Sequence, residues 1–135
     1  MNTEKATERQ GDENLELNEI TAAIIGAAHR VSSTLGCGFL EKVYENAMVF
    51  ELRSRGHEVW QQHGVDVRYG KEIVGEYSAD LVVERRVIVE LKAVDCLARL
   101  HSAQCLNYLR ATGMRLALLI DFRSEERRVG KECRL

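Results

Sequence analysis

The chain has 135 residues, of which 45% are hydrophobic, a net charge of -2, ten glycines and no proline. That size supports one buried core and not two, and the charge balance excludes the bulk attraction to nucleic acid of a strongly basic domain, so any such contact has to be local. No apolar run approaches a membrane span, the N-terminus MNTEKATERQ lacks the apolar stretch of a signal peptide, and Cys37, Cys96, Cys105 and Cys133 include no CxxC pair. A cytoplasmic protein with reduced thiols and no zinc is therefore expected.

Residues 1–14 are polar and charged and are expected to be a disordered leader, with the domain beginning at 15. Leu17, Ile20, Ile24, Val31 and Leu35 then recur at three- and four-residue steps, the stripe of an amphipathic helix that Gly36 and Gly38 stop. A second helix is expected over 40–55, with Leu40, Val43, Ala47, Phe50 and Leu52 as apolar contacts and Gly56 at its end. Glu41 and Glu45 lie one turn apart on it with Tyr44 beside them. They suit a solvated acidic face near a helix N-terminus, and the alternative is that one glutamate reaches a metal. From Glu58 the pattern turns to strand, broken at Gly64, Gly70 and Gly75. A hairpin turn at Gly70-Lys71 and three or more antiparallel strands are expected, with Trp60 as core or edge cover and His57 and His63 exposed.

The stretch Tyr77 to Val94, YSADLVVERRVIVELKAV, carries the chemistry. On a strand Glu90 and Lys92 share a face while Val87, Val89 and Leu91 take the other. Asp80 interrupts an apolar run, which costs free energy unless something satisfies it, and a divalent cation is a natural partner. Two carboxylates on neighbouring strands can hold a hard ion such as Mg²⁺, and the lysine supplies positive charge beside a developing anion. Asp80 and Glu90 share a face only if the connection between their strands leaves an odd number of residues unpaired, such as Glu84-Arg85-Arg86, or contains a bulge.

A third helix is expected over 97–112, closed by Gly113, with His101, Gln104 and Tyr108 on one polar and aromatic face. The apolar run Met114 to Ile120 reads as a buried strand, parallel to its neighbour because a helix crosses over before it. The order implies an α/β sandwich with a mixed sheet.

Three separated motifs resemble one family. Gly38-Phe39-Leu40-Glu41-Lys42-Val43-Tyr44 resembles the signature of the GxxExxY proteins, Asp80 with Glu90-Leu91-Lys92 resembles the PD-(D/E)XK nuclease core, and Gln104-Cys105-Leu106-Asn107-Tyr108 resembles the QxxxY motif of its exonuclease branch. The resemblance spans about Leu17 to Phe122 and implies an antiparallel meander plus one parallel strand flanked by helices. It implies that Asp80, Glu90 and the Leu91 carbonyl bind Mg²⁺ or Mn²⁺ and that Lys92 orients the attacking water. Glu45, or else Glu41, would complete the metal shell, with Tyr44, Gln104 and Tyr108 in support. The superfamily's proline before the first aspartate is Ala79 here. The expected function is a metal-dependent nuclease acting on DNA, with RNA as a second substrate. The alternative is an inactive nucleic-acid- or protein-binding module, and a homodimer or protein partner is expected because aromatics are few and no large basic patch exists.

Residues 123–135, RSEERRVGKECRL, break the grammar of the chain, with five basic and three acidic residues and no apolar period. Their opening resembles the translation of a common sequencing adapter, so a non-native tail is expected outside a domain of 15–122.

Overall fold

The computed structural model describes residues 3–95, 97–123 and 131–134. Cys96, Arg127 and Arg128 lie outside them. The elements in chain order are α1 (Thr3–Leu35), α2 (Glu41–Ser54), β1 (Val59–Tyr69), β2 (Glu72–Val83), β3 (Val87–Lys92), α3 (Arg99–Thr112), β4 (Leu116–Asp121) and β5 (Lys131–Arg134). The five strands form one sheet in the order β1-β2-β3-β4-β5, antiparallel except for β3 against β4. That parallel pair follows from the α3 crossover, which cannot return a strand in the opposite sense. The expected α/β class with a mixed sheet is the one observed.

Alternation along the strands gives each face its own core. Leu81, Val83, Val87, Val89, Leu91, Leu116, Leu118 and Ile120 meet α1 and α2. Ala79, Val82, Ile88, Ala117 and Leu119 meet Cys105, Tyr108 and Leu109 of α3. The strands β3 and β4 are buried on both faces, which is why VIVEL and LALLI read as nearly continuous apolar runs.

Four sequence expectations are corrected here. Residues 3–14 are not a separate leader but the first third of α1. This segment is rich in the helix formers Ala, Glu, Gln, Arg and Lys, and Glu13 ties it to the body through Arg115 at 2.8 Å, just before Glu16 pairs with Arg86. Leu40, Val43 and Phe50 are not core contacts of α2. They are 81%, 39% and 74% exposed, and the helix instead buries Tyr44, Glu45, Met48, Val49 and Leu52. Gly64 and Gly75 do not break strands; each lies inside one strand of a single long hairpin, β1 and β2, which with β3 makes up the expected antiparallel set. Residues 131–134 are not outside the fold, because they pair with β4 and Cys133 packs beneath α3.

The GxxExxY-like stretch clasps the α1–α2 corner. Gly36 and Gly38 have φ of 70° and 108°, conformations that glycine adopts without strain. The Tyr44 hydroxyl donates to the Gly36 carbonyl at 2.6 Å and accepts from the Phe39 N–H at 3.4 Å. Its ring stacks on Phe122, with centroids 4.5 Å apart. Glu41 accepts from the Ala93 N–H at 3.2 Å. The glutamate and the tyrosine therefore fasten the start of α2 to the ends of β3 and β4.

Candidate active site: a carboxylate centre where the ribbon changes face

The β2–β3 connection is the odd-numbered turn that the carboxylates require. Val83 pairs with Val87 and Leu81 with Val89, which leaves Glu84, Arg85 and Arg86 unpaired. Glu84 and Arg85 adopt φ of 54° and 57°. Two local contacts hold that turn: the Glu84 carboxylate accepts from the Glu58 N–H at 2.6 Å, and Arg85 lies 5.4 Å above the Trp60 ring.

Past Leu81 and Val89 the backbone ladder stops, and side chains take its place. Asp80 Oδ2 accepts from the Leu91 N–H at 2.8 Å, and Glu90 Oε1 accepts from the Asp80 N–H at 3.2 Å. Two strands that would otherwise zip together are wedged apart by their own carboxylates, and the buried backbone groups remain satisfied.

The neighbouring pair β1 and β2 breaks alternation at the same level. Trp60 and His63 are three residues apart yet their rings touch on one face, with centroids 4.8 Å apart. Ala79 and Val82, also three apart, belong to the same α3-side core. One residue is thus skipped on each strand, Gln62 on β1 and Asp80 opposite it, while the pairing register is the same on both sides of the skip. Gln62 has φ of 53°, an uncommon conformation for a side-chain-bearing residue in a strand and one that clusters at functional sites.

Gln62 uses that conformation to join two carboxylates. Its Nε2 donates to Glu45 Oε1 at 2.5 Å and to Asp80 Oδ1 at 3.3 Å. Glu45 Oε2 accepts from Gln61 Nε2 and from Lys42 Nζ, each at 2.5 Å. Sequence reading missed both glutamines, since a glutamine in a strand carries no periodic signal. The adjacent pair Gln61-Gln62 opposite a carboxylate is the only trace. Gln62→Ala is expected to weaken divalent-ion binding about 10- to 100-fold, read as a smaller rise in melting temperature on adding Mg²⁺ or Mn²⁺.

The carboxylates differ in charge state because their surroundings differ. Burial pushes Glu90 up, the Asp80 charge adds to it, and the result is a pKa of about 8. Burial and the Glu45 charge raise Asp80 as well, although the Leu91 N–H works against them. Burial would also raise Glu45, but hydrogen bonds from Lys42, Gln61 and Gln62 and the Lys42 charge outweigh it, so its pKa lies below the usual value.

Of the residues singled out in the sequence, Asp80, Glu90, Leu91 and Glu45 meet at this centre, and the Lys92 charge acts on both Asp80 and Glu90. Tyr108 faces it from α3. Burial, then the charges of Glu90 and Asp80, raise its phenol to about 12. Gln104 is half-buried one turn earlier on the same helix. Glu41 and Tyr44 are spent on the α1–α2 corner. His101 is a helix cap, its Nδ1 accepting from the Ala98 N–H at 3.0 Å. Among the described residues no three His, Cys, Asp or Glu groups gather closely enough to form a metal-ligand cluster as they stand. The donor chemistry nonetheless suits a hard divalent cation. Asp80 and Glu90 are desolvated acidic neighbours whose mutual repulsion a cation would relieve, and oxygen donors are the ligands such ions prefer.

A mixed five-stranded sheet with paired acidic residues at the point where β2 and β3 part is the layout of a PD-(D/E)XK nuclease core. The family model of the PD-(D/E)XK nuclease superfamily matches residues 18–132, and the chain belongs to that superfamily. No curated protein and no solved structure matches it.

Proposed function

We propose that this chain is a Mg²⁺- or Mn²⁺-dependent nuclease of the GxxExxY kind, cytoplasmic, hydrolysing phosphodiester bonds of DNA, with RNA as the second substrate. The observation that carries this reading is the exchange of side chain for backbone between Asp80 and Glu90-Leu91, which concentrates two raised-pKa carboxyls beside Lys92. A desolvated acidic pair with the one Lys92 charge set against two carboxyls costs stability, and the function it serves is to receive a cation. Asp80, Glu90 and the Leu91 carbonyl would hold the ion, with Glu45 linked to them through Gln62. When bound, a divalent ion polarises a phosphoryl oxygen and lowers the pKa of water. Lys92 supplies positive charge next to the phosphate and orients the attacking water. Gln62 fixes the Asp80 oxygen that faces Glu45, and Tyr108 closes the α3 side. The exposed row Leu40, Val43 and Phe50 gives a second copy or a partner protein an apolar contact.

A second reading is an inactive nucleic-acid- or protein-binding module. It is favoured by the engagement of both Glu45 oxygens with Lys42, Gln61 and Gln62. One assay separates the two: purified protein with Mg²⁺ or Mn²⁺ and mixed single- and double-stranded DNA and RNA, beside Asp80→Ala and Lys92→Ala. Cleavage lost in both variants is expected. Cleavage that survives in both comes from a contaminant and removes the enzyme reading, and binding with no cleavage leaves the module.

A further inference from the structure

Beyond the carboxylate centre the β1–β2 ribbon continues alongside α3, and a hollow of about 780 Å³ lies between them. Its lining includes His63, Arg68 and Tyr77 from the ribbon and Asn107, Tyr108 and Arg110 from the helix. The skip at Gln62 and Asp80 makes this possible. It turns His63 and Ala79 towards α3, and Tyr77, two residues before Ala79, follows on the same face.

Two features of the hollow point to its occupant. The first is charge. Arg55, Arg85, Arg86, Arg115 and Arg123 are each bonded to a carboxylate. Arg68 and Arg110 are exposed and form no ion pair among the described residues. Arg110 has only a 3.5 Å contact to Asn107 Oδ1. Asp66 is the one acidic residue in the lining, so in a chain of net charge -2 this is a local excess of positive charge. Guanidinium groups with no ion pair of their own, one on the ribbon and one on the helix, match phosphates of a strand laid between them.

The second feature is an aromatic surface. Tyr77 is 51% exposed and is held edge-on against Tyr108, with centroids 5.5 Å apart. A ring fixed on one side and open on the other is a stacking platform. Bases in a duplex are already stacked on their neighbours and cannot use it, whereas the bases of a single strand can. Tyr108 also ties the hollow to the centre, because its hydroxyl lies within the field of Glu90 and Asp80.

We propose that this hollow is a subsite for single-stranded polynucleotide, in which a base stacks on Tyr77 while phosphates of the same strand pair with Arg68 and Arg110. The inference rests on the nuclease reading only for its direction, with the strand leading past Tyr108 towards the carboxylates. The binding itself does not depend on cleavage.

The test is therefore a binding measurement in EDTA, where no divalent ion supports hydrolysis. Fluorescein-labelled dT12, rU12 and a 12-base-pair duplex are titrated with the full chain and followed by anisotropy, with polyglutamate as competitor. Expected is binding of dT12, rU12 or both at least about tenfold tighter than of the duplex, with the stronger of the two single strands identifying the sugar. Tyr77→Ala is expected to weaken that binding about tenfold, and Tyr77→Phe to restore it. The double variant Arg68→Gln, Arg110→Gln is expected to lower the salt dependence of log K by about 1.4, the contribution of two phosphate contacts on a single strand. Both positions are exposed, so the melting temperature serves as the control that the variants fold. Duplex bound as tightly as single strand, affinity unmoved by either set of substitutions, or equal displacement by polyglutamate overturns the subsite. A protein that cleaves nothing yet binds dT12 through these residues retains the subsite and loses only the nuclease reading.

Discussion

Asp80→Asn is expected to make the metal-free protein more resistant to heat while abolishing cleavage. Asp80 and Glu90 are neighbouring carboxyls in a partly desolvated place, where burial raises the proton affinity of both and the Asp80 charge raises that of Glu90 further. As pH rises past about 8 Glu90 ionises beside Asp80, and repulsion between the two carboxylates opposes folding. Asparagine keeps a carbonyl oxygen for the Leu91 N–H, so the wedge between β2 and β3 survives, and the substitution gives up only the 3.3 Å contact from Gln62, whose amide stays on Glu45. Relief of one charge on the order of 1 kcal/mol corresponds to a melting temperature higher by a few degrees. Under the proposed function, activity falls on the order of 10³-fold or more, because Asp80 would be an anionic ligand of the cation that lowers the pKa of water. The diagnostic is the combination measured on one preparation: a higher melting temperature in EDTA, and no further rise when Mg²⁺ or Mn²⁺ is added. A variant less stable than the wild type in EDTA would mean that the pair is structural, and the strain assigned to it would be wrong.

The second large effect is on pH dependence. The Glu90 pKa is raised from 4.5 to about 8 on folding. A carboxyl whose folded pKa lies above its unfolded value contributes stability that is fully present below the unfolded pKa and is lost as pH rises through the folded one. The metal-free protein should therefore lose stability between pH 4.5 and about 8, by an amount on the order of a few kcal/mol if the shift is fully expressed. Bound cation reverses the trend, since it favours the ionised form. Affinity for Mn²⁺ then climbs with pH across the same window, and binding near neutral pH releases up to about one proton. Calorimetry in two buffers of different ionisation enthalpy reads that proton directly. Glu90→Gln should flatten both curves, and a slope unchanged in that variant would assign the titration to another group.

Parts of this molecule are legible in its sequence for plain physical reasons. The stripe from Leu17 to Val31 marks α1 because three- and four-residue spacing has one structural meaning over that length. Asp80 and Glu90 stand out because a carboxylate inside an apolar strand needs a reason. The second helix was harder to read. It carries two apolar rows, Leu40-Val43-Ala47-Phe50 and Tyr44-Met48-Leu52, and nothing local says which one meets the sheet. The buried row is the one that contains Tyr44, whose hydroxyl has the Gly36 carbonyl to bond to, a tertiary fact that spacing cannot carry. The start of α1 and the strand at 131–134 were hidden by composition. Charge-rich segments read as detached until a partner elsewhere, Arg86 and Arg115 for one and the open edge of β4 for the other, gives them a place. Gln62 left only the trace of its neighbour Gln61, because its role comes from a positive-φ backbone conformation that no periodicity announces.

The skip shared by Gln62 and Asp80 has a consequence for how this architecture can vary. A hairpin in which both strands gain one residue at the same level resets its inside-outside parity without changing which residues are paired. Everything distal to that point, residues 63–79, is then independent of the aim of the carboxylates. Lengthening or shortening the hairpin tip by matched pairs on the two strands, or exchanging it for another ribbon, alters what lies over α3 and leaves Asp80 pointing where it did. The ribbon is in this sense an interchangeable tool head on a fixed handle.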